Sequence, residues 1–432
     1  MSTAPAVVPR GYKQTEIGVF PEDWAIKTLG EIGEVTGAGV DKKSNPGEEP
    51  VRLVNYVDVY NRRPITSNLL SHWVTAPANK ANRCSVRKGD VFFTPTSEVR
   101  EDIAVSSMAL EDIPDAVYSY HLVRLRCNDE VEVAYRAHAF SAKYFLDQAS
   151  VLADGSGTRY VVNLPNFRRM LVALPPRDEQ RRIGTLLTDV ETQIATLKEL
   201  ITKKTNIKQG TMQELLTGKT RLPGFSGTWE LKTLFELAEN KKSLFDDGDW
   251  IEAEHISESG IRLIQTGNIG IGCFLDKNSK KYIFNESFER LKCKEIFPGD
   301  LLVCRLAEPS GRACVLPEIS ENRIITSVDV TIYRPPKNLA CRVFLQYIFS
   351  TSDWLDLVSN NSGGTTHKRI SRSVLGKLKI KIPEINEQEA IAEVLSDMDA
   401  EIAALEERLE KVKAIKQGMI QQLLTGKIRL VD

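Results

Sequence analysis

No apolar run in the 432 residues approaches the roughly 18 consecutive residues that a membrane-crossing helix needs. The start of the chain, Met1 to Thr15, lacks a basic stretch followed by an apolar core, so no secretory leader is expected. Cysteine is sparse and odd in number, seven in all, with no Cys-x-x-Cys pair. This spacing excludes a disulfide framework and a cysteine zinc site, and fits scattered reduced thiols in a cytoplasmic protein. Gly and Pro number 27 and 19, too few for a low-complexity or collagen-like chain. Charge of one sign is also lacking, the formal balance being −1.

That balance hides a distribution. Counting Lys+Arg against Asp+Glu, residues 1–176 carry 20 and 21, and residues 177–222 carry 9 and 6. Residues 223–383 carry 22 and 20, and residues 384–432 carry 6 and 11. A whole-domain basic stripe is therefore absent, and composition alone leaves nucleic-acid binding open.

What the sequence does have is internal repetition. Residues 179–222 and 387–430 superpose at an offset of 208 with 22 of 44 positions identical, from Glu179-Gln180 and Glu387-Gln388 to the shared Leu-Leu-Thr-Gly-Lys. Upstream the repeat is weaker. Trp24-x-x-Lys27-Thr28-Leu29 recurs at Trp229, Lys232, Thr233 and Leu234, and Arg52-Leu53-Val54 answers Arg262-Leu263-Ile264. Gly89-Asp90 answers Gly299-Asp300, and Gly157-Thr158 answers Gly364-Thr365. The order is globule, helix, globule, helix. The helices stayed alike while the globules diverged.

Apolar residues Ile183, Leu187, Val190, Ile194, Leu197 and Ile201 step by four and three. Ile391, Leu395, Met398, Ile402, Leu405, Leu409 and Val412 repeat the rhythm in the same register. This spacing predicts two coiled-coil helices of about 60 Å. Pro175-Pro176 and Pro383 precede them, and Gly218 and Gly426 stand where caps belong. The opposite net charges favour an antiparallel pair within one chain over a homodimerising stalk. Gly210 and Gly418 each cost a helix about 1 kcal/mol, which calls for a kink or a close contact with another chain.

The globules read as mixed α/β. Strands are expected at Val91–Thr94, Val117–Leu125, Leu301–Val303 and Ile324–Tyr333, with helices near 131–150 and 341–359. The expected division is 1–176, a helical spacer 177–220, a second globule 221–383 and a second spacer 384–432. Catalytic patterns fail one by one. Gly218-Lys219-Thr220 lacks the upstream glycine of a phosphate loop, since Gln213 occupies that position. Pro175-Pro176 and Pro335-Pro336 are not followed by an aromatic as in adenine methyltransferases, and no Gly-x-Gly loop joins a strand to a helix. The five His are isolated, and Asp41-x-Lys43 has no paired acid. The readings weighed are a binding protein, a fused methyltransferase or nuclease, and a coiled-coil scaffold without a nucleic-acid role. The absences favour the first.

Polar and basic loop residues remain as candidates. Asn55 and Asp58 align with Gln265 and Asn268, and Asn and Gln are the side chains that read adenine bidentately in the major groove. Arg100, Arg305 and Arg312 follow the Gly-Asp strands, where loop tips are expected to project. Arg159 lies in Gly155-Ser156-Gly157-Thr158-Arg159-Tyr160, and His367, Lys368 and Arg369 lie in Gly363-Gly364-Thr365-Thr366-His367-Lys368-Arg369. Glycines, hydroxyls and cations together suit a phosphate.

The layout resembles the specificity subunit of type I restriction–modification systems over essentially the whole chain. The likeness rests on Trp24 and Trp229, the two Gly-Asp pairs, the Gly-Thr loops, the Pro-x-x-x-Glu-Gln helix starts and the Leu-Leu-Thr-Gly-Lys helix ends. It implies an α+β chain of two target-recognition domains alternating with two long helices, related by a pseudo-twofold internal repeat. It also implies a non-catalytic DNA-binding subunit, each domain reading half of a split, asymmetric duplex target. Its partners would be two modification (methyltransferase) subunits and restriction (motor–nuclease) subunits. Those partners would carry S-adenosylmethionine, ATP and Mg, with no cofactor in this chain.

Modularity is the first testable consequence. Exchanging residues 1–176 for the corresponding domain of another family member is expected to change one half of the recognised sequence and leave the other intact, as mapped by methylated adenines. Corruption of both halves would show that the domains do not read independently.

Overall fold

The computed structural model describes residues 8–306, 309–364 and 368–431. It divides into two compact units, Met1–Glu199 with Glu406–Asp432, and Leu200–Leu405. Both long helices form as expected, a central one at Arg177–Leu215 and a C-terminal one at Ile385–Leu423, each of 39 residues. Each unit holds the first part of one helix against the last part of the other. In the first unit Lys416 Nζ meets Glu191 Oε1 at 2.5 Å. In the second, Lys204 pairs with Glu401 at 2.7 Å and Lys208 with Asp399. Sequence number rises along one helix as it falls along the other, so the pairing is antiparallel within each unit.

The heptad pattern serves two purposes. Ile183 and Leu187 join Trp24, Phe93, Tyr135, Phe167, Leu423 and Leu424 in the core of the first unit. Ile391 and Leu395 join Trp229, Tyr333, Phe349, Trp354, Leu215 and Leu216 in the second. The first turns of each seam therefore belong to a domain core, and only the rest is helix-against-helix. Gly218 and Gly426 cap the helices with φ of +70° and +68°, the left-handed geometry that glycine adopts without strain.

Each unit carries two four-stranded sheets, the first in matching order and the second matching in three of its four strands. In the first unit one sheet runs Ser106–Met108, Asp90–Phe93, Val123–Cys127, Gly33–Thr36, and the other Trp73–Ala76, Glu49–Val54, Ile113–Tyr118, Ser85–Val86. In the second, Ala313–Val315, Leu301–Cys304, Val330–Tyr333 and Phe245–Asp247 repeat the first order. Ile256–Ser257, Tyr282–Ile283, Ile261–Ile264 and Ile324–Thr326 form the other. The only parallel strand pairs among the described residues are Glu49–Val54 with Ile113–Tyr118 and Ile261–Ile264 with Ile324–Thr326.

Two strand expectations are corrected here. Val117–Leu125 and Ile324–Tyr333 each break into two strands belonging to different sheets, because the chain turns at Ser119 and Ser327. The helical stretches divide similarly, into Val133–Ala139 and Lys143–Leu152, and Arg342–Ile348 and Ser352–Asn360. The Gly-Asp pairs prove structural. Asp90 takes the N–H of Arg87 at 2.8 Å and a two-pronged bond from Arg126. Asp300 takes the N–H of Phe297 at 2.9 Å and the same fork from Arg334. All seven cysteines are free. No helix among the described residues is long and apolar enough to cross a membrane.

Where each domain meets its helices, four side chains recur. In the first unit His138 contacts Thr188 at 3.0 Å, with Glu191 and Lys416 beside it. In the second, Tyr347 donates to Asp399 at 2.7 Å, with Ser396 and Lys208 beside it. Burial holds the His138 imidazole down to about 4. The folded first unit therefore binds fewer protons than the unfolded chain between that value and the ordinary histidine range. Stability contributed by neutral His138 is complete above about pH 6.5 and is lost as pH falls toward 4, on the order of 3 kcal/mol in total. Denaturant melts at stepped pH are expected to show this loss, and His138→Gln to flatten it. An unchanged slope in the variant would remove His138 as its cause.

Candidate nucleic-acid interface

The parallel strand of each domain runs into a tight turn. In the first, Glu49–Val54 leads through Asn55 into a short helix, Tyr56–Tyr60. In the second, Ile261–Ile264 leads through Gln265 into a single 3-10 turn, Thr266–Asn268. Asp58 accepts the N–H of Asn55 at 2.8 Å, and Asn268 accepts the N–H of Gln265 at 3.0 Å. The two aligned residues thus do the same local work, satisfying a backbone donor at the start of the turn.

Asn268 also donates to the Leu275 carbonyl at 2.9 Å and is buried, and Asn55 is buried with its amide toward the Leu53 carbonyl. These three side chains hold the turn. Gln265, half-exposed, lies on its outer side.

The expectation that arginines project beyond the Gly-Asp strands is corrected. Arg305 is 3% exposed, donating to the carbonyls of Ile370 and Val328 at 3.1 and 2.5 Å and lying 3.1 Å from Asp247. Arg312 is buried too, its guanidinium bonded to the carbonyls of Ile269, Thr266 and Pro309. A guanidinium offers five donors in a fixed fork, so one side chain can tie several loop carbonyls together. Arg100 is half-buried, bonded to the Ser150 carbonyl and stacked 4.8 Å from the Tyr160 ring. All three position loops rather than extend from them.

The glycine–basic segments are exposed. Asp154–Ser156 and Arg159–Val161 form a hairpin with Arg159 outward. Lys368 and Arg369 are exposed as well, Arg369 pairing with Asp329 at 2.7 Å and Lys368 reaching Ser359 at 3.3 Å. His367, Thr365 and Thr366 lie outside the described residues.

Tertiary structure brings the two kinds of candidate together in the second domain. A polar cleft of about 390 Å³ is lined by Trp250, Gln265, Thr266, Lys277, Lys281 and Asp329, among others. Through Asp329, Arg369 borders the same cleft that Gln265 lines. In the first domain the imidazole of His121 is lowered, by burial first and then by the nearby cations Lys42 and Arg159. The Tyr120 ring packs on it at 3.9 Å between centroids.

Trp250, Lys277, Lys281, Lys42 and Tyr120 join these candidates only through the fold, since an isolated tryptophan or lysine in sequence carries no position. Among the described residues no group of His, Cys, Asp and Glu is arranged to hold a metal ion.

Residues 21–206 and 227–414 both match the family model described as the type I restriction modification DNA specificity domain. A putative type I restriction enzyme MjaX specificity subunit of Methanocaldococcus jannaschii is 23% identical over 439 aligned positions, covering 97% of each chain. The MjaVIII specificity subunit of the same organism is 24% identical over 61% of this chain and 63% of its own. Among solved structures, a chain from a type I R-M system studied for complex assembly and conformational transition covers 95% of this chain and 99% of its own. Its TM-score is 0.55 at 19% identity. The S subunit from M. genitalium gives 0.54 at 11% identity, covering 93% of this chain and 96% of its own. These two likenesses are of fold.

Arg305 provides a test of the loop scaffold. Arg305→Ala removes a buried cation and leaves the Ile370 and Val328 carbonyls without its N–H groups and Asp247 without its ion partner, costing about 3 kcal/mol. The second unit is expected to melt roughly 5–10 °C lower in calorimetry with the first unit unchanged. A wild-type thermogram would show that the loop needs no such tie.

Proposed function

The chain belongs to the type I restriction–modification DNA specificity family, and we propose that each of its domains reads one half of a split, asymmetric duplex target. The observation that carries this reading is the pairing of one scaffold with two different surfaces. The sheets, the Asp90–Arg126 and Asp300–Arg334 forks and the Asp58 and Asn268 turns repeat. Between them the chain varies the residues at its turns and bridges. Asn55 answers Gln265, Asp41 answers Trp250, and His121 answers Asp329. Repetition of the frame with variation of the face is what two unlike half-sites require.

In this reading Gln265 faces base edges, and the matching turn of the first domain, which Asn55 and Asp58 hold from within, presents its outer side to them. Asn268, Arg100, Arg305 and Arg312 keep the turns and loops in place. Arg159, His367, Lys368 and Arg369 hold phosphates. The segments divide by role as domain 1–176, spacer 177–220, domain 221–383 and spacer 384–432, the two spacers fixing the distance between half-sites.

The helices also carry a matched pair of exposed patches. Ile207 with Gly210, and Ile415 with Gly418, stand one helical turn apart at equivalent positions, and no atom outside the local backbone lies within 4 Å of where a Cβ at either glycine would sit. Nothing within a unit explains a helix glycine there. The same patch twice suits two copies of one partner. Two modification subunits fit that requirement, bringing S-adenosylmethionine and the methyl transfer. Restriction subunits would add ATP- and Mg-dependent translocation and cleavage, the whole assembly working in the cytoplasm.

Two variants separate phosphate holding from base reading. Replacing Lys368 and Arg369 with Ala is expected to weaken cognate and random duplexes alike and to reduce the salt slope by about 0.9 per lost contact. Gln265→Ala is expected to relax preference at one base pair, at a cost of about 1–3 kcal/mol against the cognate base. Affinities are measured on the full chain with its modification subunits at several salt concentrations. Loss of discrimination with a wild-type salt slope in the double variant would make that loop a reader.

A further inference from the structure

Of the five tryptophans, Trp24, Trp229 and Trp354 are buried in the domain cores, and Trp73, exposed in the first domain, lies under the Arg52 guanidinium. Trp250 is 68% exposed, among the most exposed of the large hydrophobic side chains. It follows Asp249, whose backbone bridges in parallel to Ser327, and the equivalent bridge in the first domain joins Val40 to Ser119. The residue after Val40 is Asp41. One copy of the fold therefore presents a carboxylate where the other presents an indole, on a backbone held in the same way. A ring of this size left in water is unfavourable unless something covers it.

What surrounds the ring points to the occupant. Trp250 lines the polar cleft with Gln265, Thr266, Lys277 and Lys281. Lys277 and Lys281 are exposed, and the Lys277 ammonium lies over the turn, 2.8 Å from where a side chain on Gly267 would begin. The carboxylates of the cleft are already engaged. Asp249 accepts the Lys294 N–H at 2.7 Å and faces its ammonium at 3.6 Å, while Asp329 pairs with Arg369. The cleft thus offers cations at its rim, an amide within and one apolar ring. An apolar protein surface would leave the lysines desolvated, and a bare anion would leave the indole uncovered. A duplex groove satisfies both, with phosphates for the cations and base edges for the ring.

We infer that Trp250 is a specificity-determining residue of the second domain, its indole packing against base edges of one half-site while Lys277 and Lys281 hold the flanking phosphates. The inference rests on the reading of this cleft as a DNA-facing surface. It goes beyond that reading by making an apolar contact, rather than an amide, the main discriminator.

The test uses the full chain assembled with its modification subunits. Its duplexes carry the mapped target and each single replacement in the second half-site. Trp250→Ala, exposed enough to fold normally by thermal melt, is expected to weaken cognate binding about tenfold or more and leave random duplexes unchanged. The mismatch penalty should flatten at one or two adjacent base pairs. Trp250→Phe should retain most of the discrimination. The emission lost in Trp250→Phe should be quenched by acrylamide in the free complex and protected by cognate DNA. Lys277→Ala with Lys281→Ala should weaken all duplexes alike and lower the salt slope.

Wild-type affinity and mismatch profile in Trp250→Ala would overturn the inference. If Gln265→Ala still relaxes one position in that case, the cleft remains a reading surface and only the role of the indole falls. If neither variant changes any mismatch penalty, the reading of the cleft falls with it.

Discussion

A buried carboxylate at the start of each long helix is the interaction on which the arrangement depends. Glu179 and Glu387 lie in the first turn of their helices and are almost fully buried. Each takes a fork from an arginine in the tail that follows the other helix. Arg429 bonds Glu179 at 2.8 and 2.9 Å, and Arg221 bonds Glu387 at 2.5 Å on both oxygens. Both guanidiniums are raised by their carboxylate partners, the bond to Glu179 being the largest effect for Arg429. Removing one side of such a pair leaves a buried charge unpaired and costs several kcal/mol. Helix geometry adds to it, because an anion in the first turn meets unbonded N–H groups and the positive end of the helix dipole.

The next residues extend the tie to the domains. Gln180 bridges the Pro175 carbonyl and the N–H of Glu132, and Gln388 bridges the Pro383 carbonyl and the N–H of Cys341. Trp24 donates to Glu179 at 3.1 Å under Arg429, and Trp229 lies likewise under Arg221. Helix start, helix tail and domain edge thus share one polar centre in each unit. That centre explains why identity is concentrated in the helices and their tails. Its Glu179–Arg429 and Arg221–Glu387 pairs join one repeat to the other, so neither member of a pair can drift alone. The outer sides of the turns lie beyond these ties, and they have drifted.

Legibility followed the same division. Repetition, heptad rhythm, helix limits and the Gly caps could be read because they are periodic or local. The division of Val117–Leu125 and Ile324–Tyr333 between two sheets could not, since the turns at Ser119 and Ser327 are held by isolated parallel bridges to Val40 and Asp249, far back in the sequence. Arg305 and Arg312 illustrate the greater difficulty. An arginine after a strand has the same letter whether it meets a phosphate or several carbonyls, and burial alone distinguishes the two. The repeat aligns Asn55 with Gln265 and Asp58 with Asn268, but alignment does not tell a base reader from a helix cap.

The sequence by itself determined the doubled architecture, the length and phase of the helices, and the pairing preference carried by their opposite charges. These follow from spacing and composition, which act through the chain's own neighbours. Tertiary structure alone decided which polar residues face outward. Gln265, Trp250 and Lys277 come to one cleft, with Arg369 on its border, although more than one hundred residues separate the first from the last. The physical reason is that a side chain becomes a contact only when the fold leaves it unsatisfied at the surface, and satisfaction is settled by partners distant in sequence.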